Sequence, residues 1–346
     1  MENFSRPLVD WYKKEARPLP WREEPTPYRV WVSEIMLQQT RIEAAREYFN
    51  RFTRAFPTVE ALAAAELDDV LKLWEGLGYY SRARNLHKCA KTVCETYGGV
   101  FPPDAAALRA LPGIGDYTAG AIASIAYGLP EPAVDGNVLR VVTRLTADSR
   151  EISDTKFKNE ITAALQEIYP VDKCGIFTQS LMELGAVVCM PNGTPRCTEC
   201  PLQSLCSACA AGTQPAYPVK KKKAQRRIEE KTVLLMIHAG RLALQKRAKS
   251  GLLGGMWELP NLSGKADIAQ IQKWLEKCGI TDCRIQKGSP VCHIFTHIEW
   301  HMDSYLIECG KAAPDSDFTW ITEQALEKEY ALPTAFKKVY TQNRPL

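Results

Sequence analysis

The stretch Leu111-Pro-Gly-Ile-Gly-Asp-Tyr-Thr-Ala-Gly-Ala-Ile122 decides how this chain of 346 residues is read. A helix ends at Leu111, Gly113 and Gly115 let the backbone turn tightly, and Tyr117 starts a second helix running towards Tyr127. That is a helix-hairpin-helix pattern. Backbone N–H groups in a glycine turn at a helix N-terminus point outward together and can hold a phosphate oxygen. Gly113 and Gly115 are therefore candidate nucleic-acid contacts, of the kind that position a duplex without reading its bases. An ordinary αα-hairpin fits the same residues, so the downstream sequence has to decide between the two. After a short interval comes Val134-Asp-Gly-Asn-Val-Leu-Arg-Val-Val-Thr-Arg144, and beyond it a group of cysteines.

On either side of the hairpin the texture is helical. Residues 4–16 place Phe4, Leu8, Trp11 and Tyr12 on one side of a helix, and Arg17-Pro-Leu-Pro-Trp-Arg22 breaks it. From Tyr28 to Phe56 the helical pattern returns, interrupted near Gln38-Gln39-Thr40 and stopped by Pro57. Helices are expected over about 59–65, 67–75, 81–97 and 104–111, separated by Pro and Gly signals. Between Gly212 and Lys231 the composition changes to GTQPAYPVKKKKAQRRIEEK, which reads as an exposed connector. Beyond it Thr232–His238, Arg241–Lys246 and Val291–Ile298 look like strands, and Ala266–Cys278 is helical. A mostly α domain thus precedes a smaller α/β domain.

The totals agree with two cores. Hydrophobic residues make up 45% of the chain, enough for one core of about 200 residues and one of about 120. No apolar run approaches a membrane span, and MENFSRPLVDWYKKE resembles neither a signal peptide nor a transit peptide, so a cytoplasmic protein without a membrane partner is expected. The net charge of +4 is only mildly basic, so a polyanion must be met by local clusters. Twelve cysteines in such a chain read as reduced thiols and ligands.

Four of those cysteines, Cys189, Cys197, Cys200 and Cys206, form a C-x7-C-x2-C-x5-C run. Four thiolates in one loop suit either tetrahedral zinc or a [4Fe–4S] cluster; one close pair, where structural zinc usually takes two, argues for the cluster. Cys209 is a spare, and Cys89 and Cys94 read as small core residues.

The hairpin, the VDGNV aspartate and the four-cysteine loop together resemble the endonuclease III superfamily of DNA glycosylases. Pro20-Trp21-Arg22, Ser33-Glu-Ile-Met-Leu-Gln-Gln-Thr40, Gly76-Leu-Gly-Tyr-Tyr-Ser-Arg-Ala-Arg84 and Gly254-Gly-Met-Trp-Glu-Leu-Pro260 are similar, within it, to the MutY family of adenine DNA glycosylases. The first cysteine gap holds seven residues where that family leads one to expect six. The resemblance implies a helix-hairpin-helix glycosylase domain over residues 1–212 with an iron-sulfur loop at 189–206, a linker at 213–229 and a Nudix-like domain over 230–346.

The activity implied by the resemblance is removal of adenine mispaired with 8-oxoguanine or guanine. It requires protonating the base, and an acid held protonated near neutral pH needs an apolar setting. Glu34 matches that acid and sits among Val30, Trp31, Ile35 and Met36. Asp135 matches the carboxylate beside the cationic sugar, with Asn137 orienting it, although Asp is also a frequent N-cap. Tyr117 stands where lyase-active relatives carry a lysine, so the chain is expected to be monofunctional, and the resemblance implies that Tyr117 also packs against the reacting nucleoside. The runner-up is a bifunctional glycosylase and AP lyase acting on oxidised pyrimidines. Base extrusion implies Gln39 as a wedge, Thr40 beside the opposite base and Tyr79 stacking nearby, with Arg22 and Gln179 contacting adenine. Phe295-Thr296-His297 matches the loop that touches 8-oxoguanine, with Thr296 for the more usual Ser. Gln272-Lys-Trp-Leu-Glu-Lys-Cys-Gly279 keeps one carboxylate of the Nudix metal helix, which argues against Mg²⁺ hydrolysis. The expected partner is double-stranded DNA with an 8-oxoguanine:A or G:A mispair, bound by a monomer in the cytoplasm of a bacterium, with the nucleoid.

Overall fold

The computed structural model describes residues 4–221, 225–312 and 318–344. The chain forms two compact units, one of residues 1–64 and 85–222, the other of residues 65–84 and 223–346. Residues 65–84 thus leave the helical domain that the linear reading assigned them to.

The first unit is helical. It contains α1 (Ser5–Glu15), α2 (Pro20–Glu23), α3 (Pro27–Leu37), α4 (Ile42–Ala55) and α5 (Val59–Ala64). After the excursion through α6 (Leu67–Leu73), the chain returns within α7 (Ser81–Tyr97). There follow α8 (Ala105–Arg109), α9 (Asp116–Ala121), α10 (Gly136–Thr146), α11 (Thr155–Gln166), α12 (Cys174–Val187) and α13 (Ser207–Ala210). Thr26 accepts a hydrogen bond from Arg29 N (3.3 Å) and Pro27 occupies the first turn, so α3 starts where its sequence supplies both signals. Residues Val30 to Met36 are all buried, which makes α3 a central helix rather than an amphipathic cover. On the other side, Leu8 and Val9 of α1, Val138, Leu139 and Val142 of α10, and Phe177, Leu181 and Leu184 of α12 share one core. Each such side chain contributes about 1.5–3 kcal/mol by leaving water.

Two expectations need correcting here. The second helix of the hairpin begins at Asp116 and passes at Ile122 into a π turn ending at Ala126, rather than running on as a single α-helix. The stretch 213–229 is not a free connector throughout. Gln214 O and Tyr217 O accept from Arg144 Nε (both 3.1 Å) and Val219 O accepts from Ile152 N (3.1 Å), while Arg227 already opens a strand.

The second unit is an α/β sandwich. Its strands are β1 (Arg227–His238), β2 (Arg241–Lys246), β3 (Trp257–Glu258), β4 (Asn261–Ser263), β5 (Ile280–Lys287), β6 (Val291–Ile294), β7 (Ile298–Ala312) and β8 (Thr319–Ile321). The main sheet order is β3-β2-β1-β7-β5, with β4 on β1, β6 on β7 and β8 on β2. Only β1 and β7 run parallel among the described pairs, in register from Arg227 opposite Ile298 to Ile237 opposite Glu308. Alternation along the strands supplies two apolar faces. Val233, Leu235, Trp300 and Met302 pack with Phe336 and Val339 of α16 (Thr334–Asn343), and Leu234, Met236 and Ile307 pack with Ile271 and Leu275 of α14 (Ile268–Lys277).

Residues 65–84 attach to this unit through polar contacts. Lys72 Nζ donates to Leu326 O (2.9 Å) and Tyr330 O (3.0 Å) beside α15 (Glu323–Lys328), and Lys246 pairs with Asp68 (2.9 Å). The expected single strand over Val291–Ile298 is two strands, because Phe295 N donates to Ile298 O (2.8 Å) and closes a turn. No helix among the described residues is long and apolar enough to cross a membrane.

Candidate active site

A cavity of about 550 Å³ opens in the first unit, lined by Arg22, Glu34, Gln39, Thr40, Tyr117, Asp135, Asn137 and Gln179 among others. The sequence places these residues on five separate segments, and the fold brings them together. Glu34 comes from the middle of α3 and is only 6% exposed. Burial raises its carboxyl to about 7; the hydrogen bond donated by the Tyr117 hydroxyl opposes the rise, the charge of Asp135 adds to it, and Arg22 opposes it. Tyr117, on the first turn of α9, is itself pushed well above the usual phenol range by burial and the neighbouring carboxylates.

Asp135 is the N-cap of α10. Its Oδ1 accepts from Asn137 N (2.9 Å) and Val138 N (2.8 Å), and its Oδ2 accepts from Asn137 Nδ2 (2.7 Å). Burial raises this carboxyl as well, but those bonds and the charge of Arg140 work against the rise. The capping bonds pin Oδ1 and the Asn137 side chain holds Oδ2, while the group still faces the cavity.

Two groups were missed by reading the sequence. Glu183 lies on α12 with its side chain 1% exposed, accepting from Arg17 Nε (2.7 Å) and from Arg22 Nη2 (2.7 Å). Burial alone would raise its pKa, but the two guanidinium groups outweigh it and bring the carboxyl down to about 2. Arg140, also buried, donates from Nη2 to Asn137 Oδ1 (2.8 Å) and Gly185 O (2.7 Å) and from Nε to Cys189 O (2.7 Å). A signal was present: each sits within an apolar helical pattern, where a charge survives only with partners. Gln179, expected at adenine, lines the cavity and accepts from Tyr12 OH (3.1 Å). Among the described residues that line the cavity there is no lysine.

The hairpin glycines differ from one another. Gly113 has φ +77°, and a Cβ there would lie 2.7 Å from the Asn85 Cβ, so only glycine fits. Gly115 caps α9 at φ −96° with open space where a Cβ would go. Its missing side chain leaves the backbone amides accessible.

A family model described as HhH-GPD superfamily base excision DNA repair protein matches residues 32–168, and a NUDIX domain model matches residues 232–342. The adenine DNA glycosylase of Mus musculus is 34% identical over 97% of this chain and 77% of its own length. That of Buchnera aphidicola subsp. Acyrthosiphon pisum is 35% identical over 88% of this chain and 86% of its own. This chain belongs to the adenine DNA glycosylase family.

The chain is also similar in structure to a thermostable thymine-DNA glycosylase. The TM-score is 0.55 with 27% identity, covering 60% of this chain and 95% of that one. A trapped endonuclease III–DNA covalent intermediate aligns with TM-score 0.51 and 25% identity over 60% of this chain and 94% of its own. The protein is thus a DNA N-glycosylase of base excision repair by family. The remaining expected residues of this adenine DNA glycosylase lie in two further places.

Cys189, Cys197, Cys200 and Cys206 line one small cavity in the first unit. Arg144 Nη1 donates to Cys189 Sγ (3.3 Å) and Gln214 Nε2 to Cys197 Sγ (3.6 Å), the polarity that thiolate ligands favour. No three of these sulfurs lie within 4.8 Å of one another. Cys209 shares the cavity wall.

Tyr79, Phe295, Thr296 and His297 belong to the second unit. Tyr79 is 46% exposed, in the left-handed region at φ +47°, and its hydroxyl lies 2.7 Å from Thr296 Oγ1. Phe295 packs against His293 and Trp300, and Thr296 and His297 are exposed at the turn. Gln39, in the turn between α3 and α4, is a second non-glycine residue of the expected set with positive φ, at +59°.

Proposed function

We propose that this protein excises adenine paired with 8-oxoguanine, or with guanine, from double-stranded DNA, acting as a monomer and without strand cleavage. The observation that carries the reading is one cavity holding an acid near neutrality, Glu34, and a carboxylate pinned by three hydrogen bonds, Asp135. The extruded adenine enters beside Glu34, which gives its proton to a ring nitrogen of the base. The glycosidic bond then breaks with its electron pair leaving on neutral adenine, and the cationic sugar is stabilised by Asp135. Water adds at C1′ and its proton returns to the carboxylate of Glu34. Tyr117 and Asn137 act as positioning residues, the first on Glu34 and the second on Asp135.

Arg22 and Gln179 supply polar edges for the base, Gln39 and Thr40 hold the vacated space, and Gly113 and Gly115 take a phosphate. Tyr79, Phe295, Thr296 and His297 read the opposite base. Four cysteines lining one small cavity, with N–H donors to two of the sulfurs, support a [4Fe–4S] cluster on Cys189, Cys197, Cys200 and Cys206. A cluster there supplies a rigid, charged loop; Arg140 ties that loop to Asn137.

The test is release of free adenine from an 8-oxoguanine:A duplex, with borohydride added in parallel. The reading expects adenine release by the parent, near-total loss in Glu34→Gln and Asp135→Asn, and no trapped protein–DNA adduct. Wild-type release in either variant overturns the site assignment, and a trapped adduct restores the lyase reading.

A further inference from the structure

We propose that Cys292, Glu299 and His301 form a three-ligand site for a borderline-soft divalent cation, zinc in first place, on the open face of β6 and β7. Cys292 pairs directly with His301 across the two antiparallel strands, and Glu299 precedes His301 by two residues. Strand alternation therefore puts all three side chains on one face. His301 Nε2 lies 2.8 Å from Glu299 Oε1, and Cys292 Sγ lies 3.4 Å from the same oxygen. The sulfur, nitrogen and oxygen ligand atoms are all within 4.8 Å of one another. Among the described residues no other trio of His, Cys, Asp or Glu converges so closely, the four-cysteine loop included.

One thiolate, one imidazole and one carboxylate match zinc in type and number, and suit calcium or magnesium poorly. Bonds of about 2.0–2.3 Å from a common centre are reached by side-chain rotation, since both strands hold the backbone in register. Cys292 and His301 are exposed, which leaves the fourth position of a tetrahedron to water. The Cys292 thiol now donates to Glu299; on binding it gives its proton to solvent and the carboxylate turns to the metal. Arg226 and Lys338 act electrostatically on Glu299 and Cys292 and lower the affinity without occupying a ligand atom. The site lies below the turn Phe295–His297, so a bound ion would clamp the two strands that carry it. The assignment stands independently of what that turn recognises.

The experiment measures iodoacetamide alkylation of Cys292 in the full-length, cluster-loaded protein, peptide by peptide in a mass spectrometer, with and without added zinc. Zinc should slow alkylation of Cys292 by about tenfold or more while leaving Cys94 unchanged, and His301→Ala and Glu299→Gln should abolish the protection. Equal rates with and without zinc, or protection that survives in His301→Ala, would overturn the proposal.

Discussion

At Glu34 the fold holds a carboxyl in an unfavourable setting, and this has a stability consequence of definite sign. Its folded pKa of about 7 stands above the ordinary 4.5. The contribution of the protonated group is complete below pH 4.5 and is lost as pH rises through about 7. Above that, keeping the ionised group buried costs up to about 3 kcal/mol. Glu34→Gln should therefore unfold at higher denaturant concentration than the parent at pH 8, with the gap closing at pH 4, while adenine release falls by about 10²–10⁴-fold. Equal midpoints at pH 8 would show that burial does not hold the acid protonated. Glu183 has the opposite sign. Its carboxyl is held at about 2, so its contribution is present above pH 4.5 and is lost as pH falls through about 2. Removing its charge in Glu183→Gln strands Arg17 and Arg22 and should cost about 3–5 kcal/mol in urea unfolding at pH 7. A loss below about 1 kcal/mol would mean that solvent already screens the pair.

The hairpin makes a sharper test at the level of the element. Gly113→Ala meets both a positive φ and the Asn85 side chain, and should cost about 1–3 kcal/mol of stability. Gly115→Ala meets neither, so it should leave stability within about 0.5 kcal/mol but weaken binding to duplex DNA where its methyl obstructs a phosphate. Parallel unfolding and binding measurements separate the two; equal stability losses would mean that the turn, not the approach of a ligand, selects both glycines. The hairpin was legible because its glycines and flanking helical patterns are local signals, and the same holds for the stop at Pro57 and the break at Gln38–Thr40. Partnerships across long spans were not. Arg17 and Glu183 are 166 residues apart, and no local pattern pairs them. The strand expected over Val291–Ile298 was divided by a turn whose residues, Phe295 to His297, carry no glycine or proline to mark it.

For the whole molecule, the departure of residues 65–84 from the helical unit matters most. A linear domain boundary cannot express a segment that leaves one unit and returns, and the contacts that draw it away, such as Lys72 to Tyr330 O, span 258 residues. This excursion puts Tyr79 beside Thr296 in the second unit. If the pair reads the opposite base together, Tyr79→Phe and Thr296→Ala should each lower the preference for 8-oxoguanine:A over G:A by up to about tenfold, and the double variant should lose little more. Additive losses would mean that the two act separately. In the proposed mechanism adenine release rests on two carboxyl groups in one cavity, Glu34 as the acid and Asp135 beside the sugar. The most direct test is the single-turnover rate of adenine release at saturating enzyme as a function of pH. The rate should fall about tenfold per unit once pH exceeds about 7, and fall again on the acid side as Asp135 takes up a proton. A rate that stays level from pH 6 to pH 9, or an alkaline midpoint near 4.5, would contradict the assignment of Glu34 as the acid.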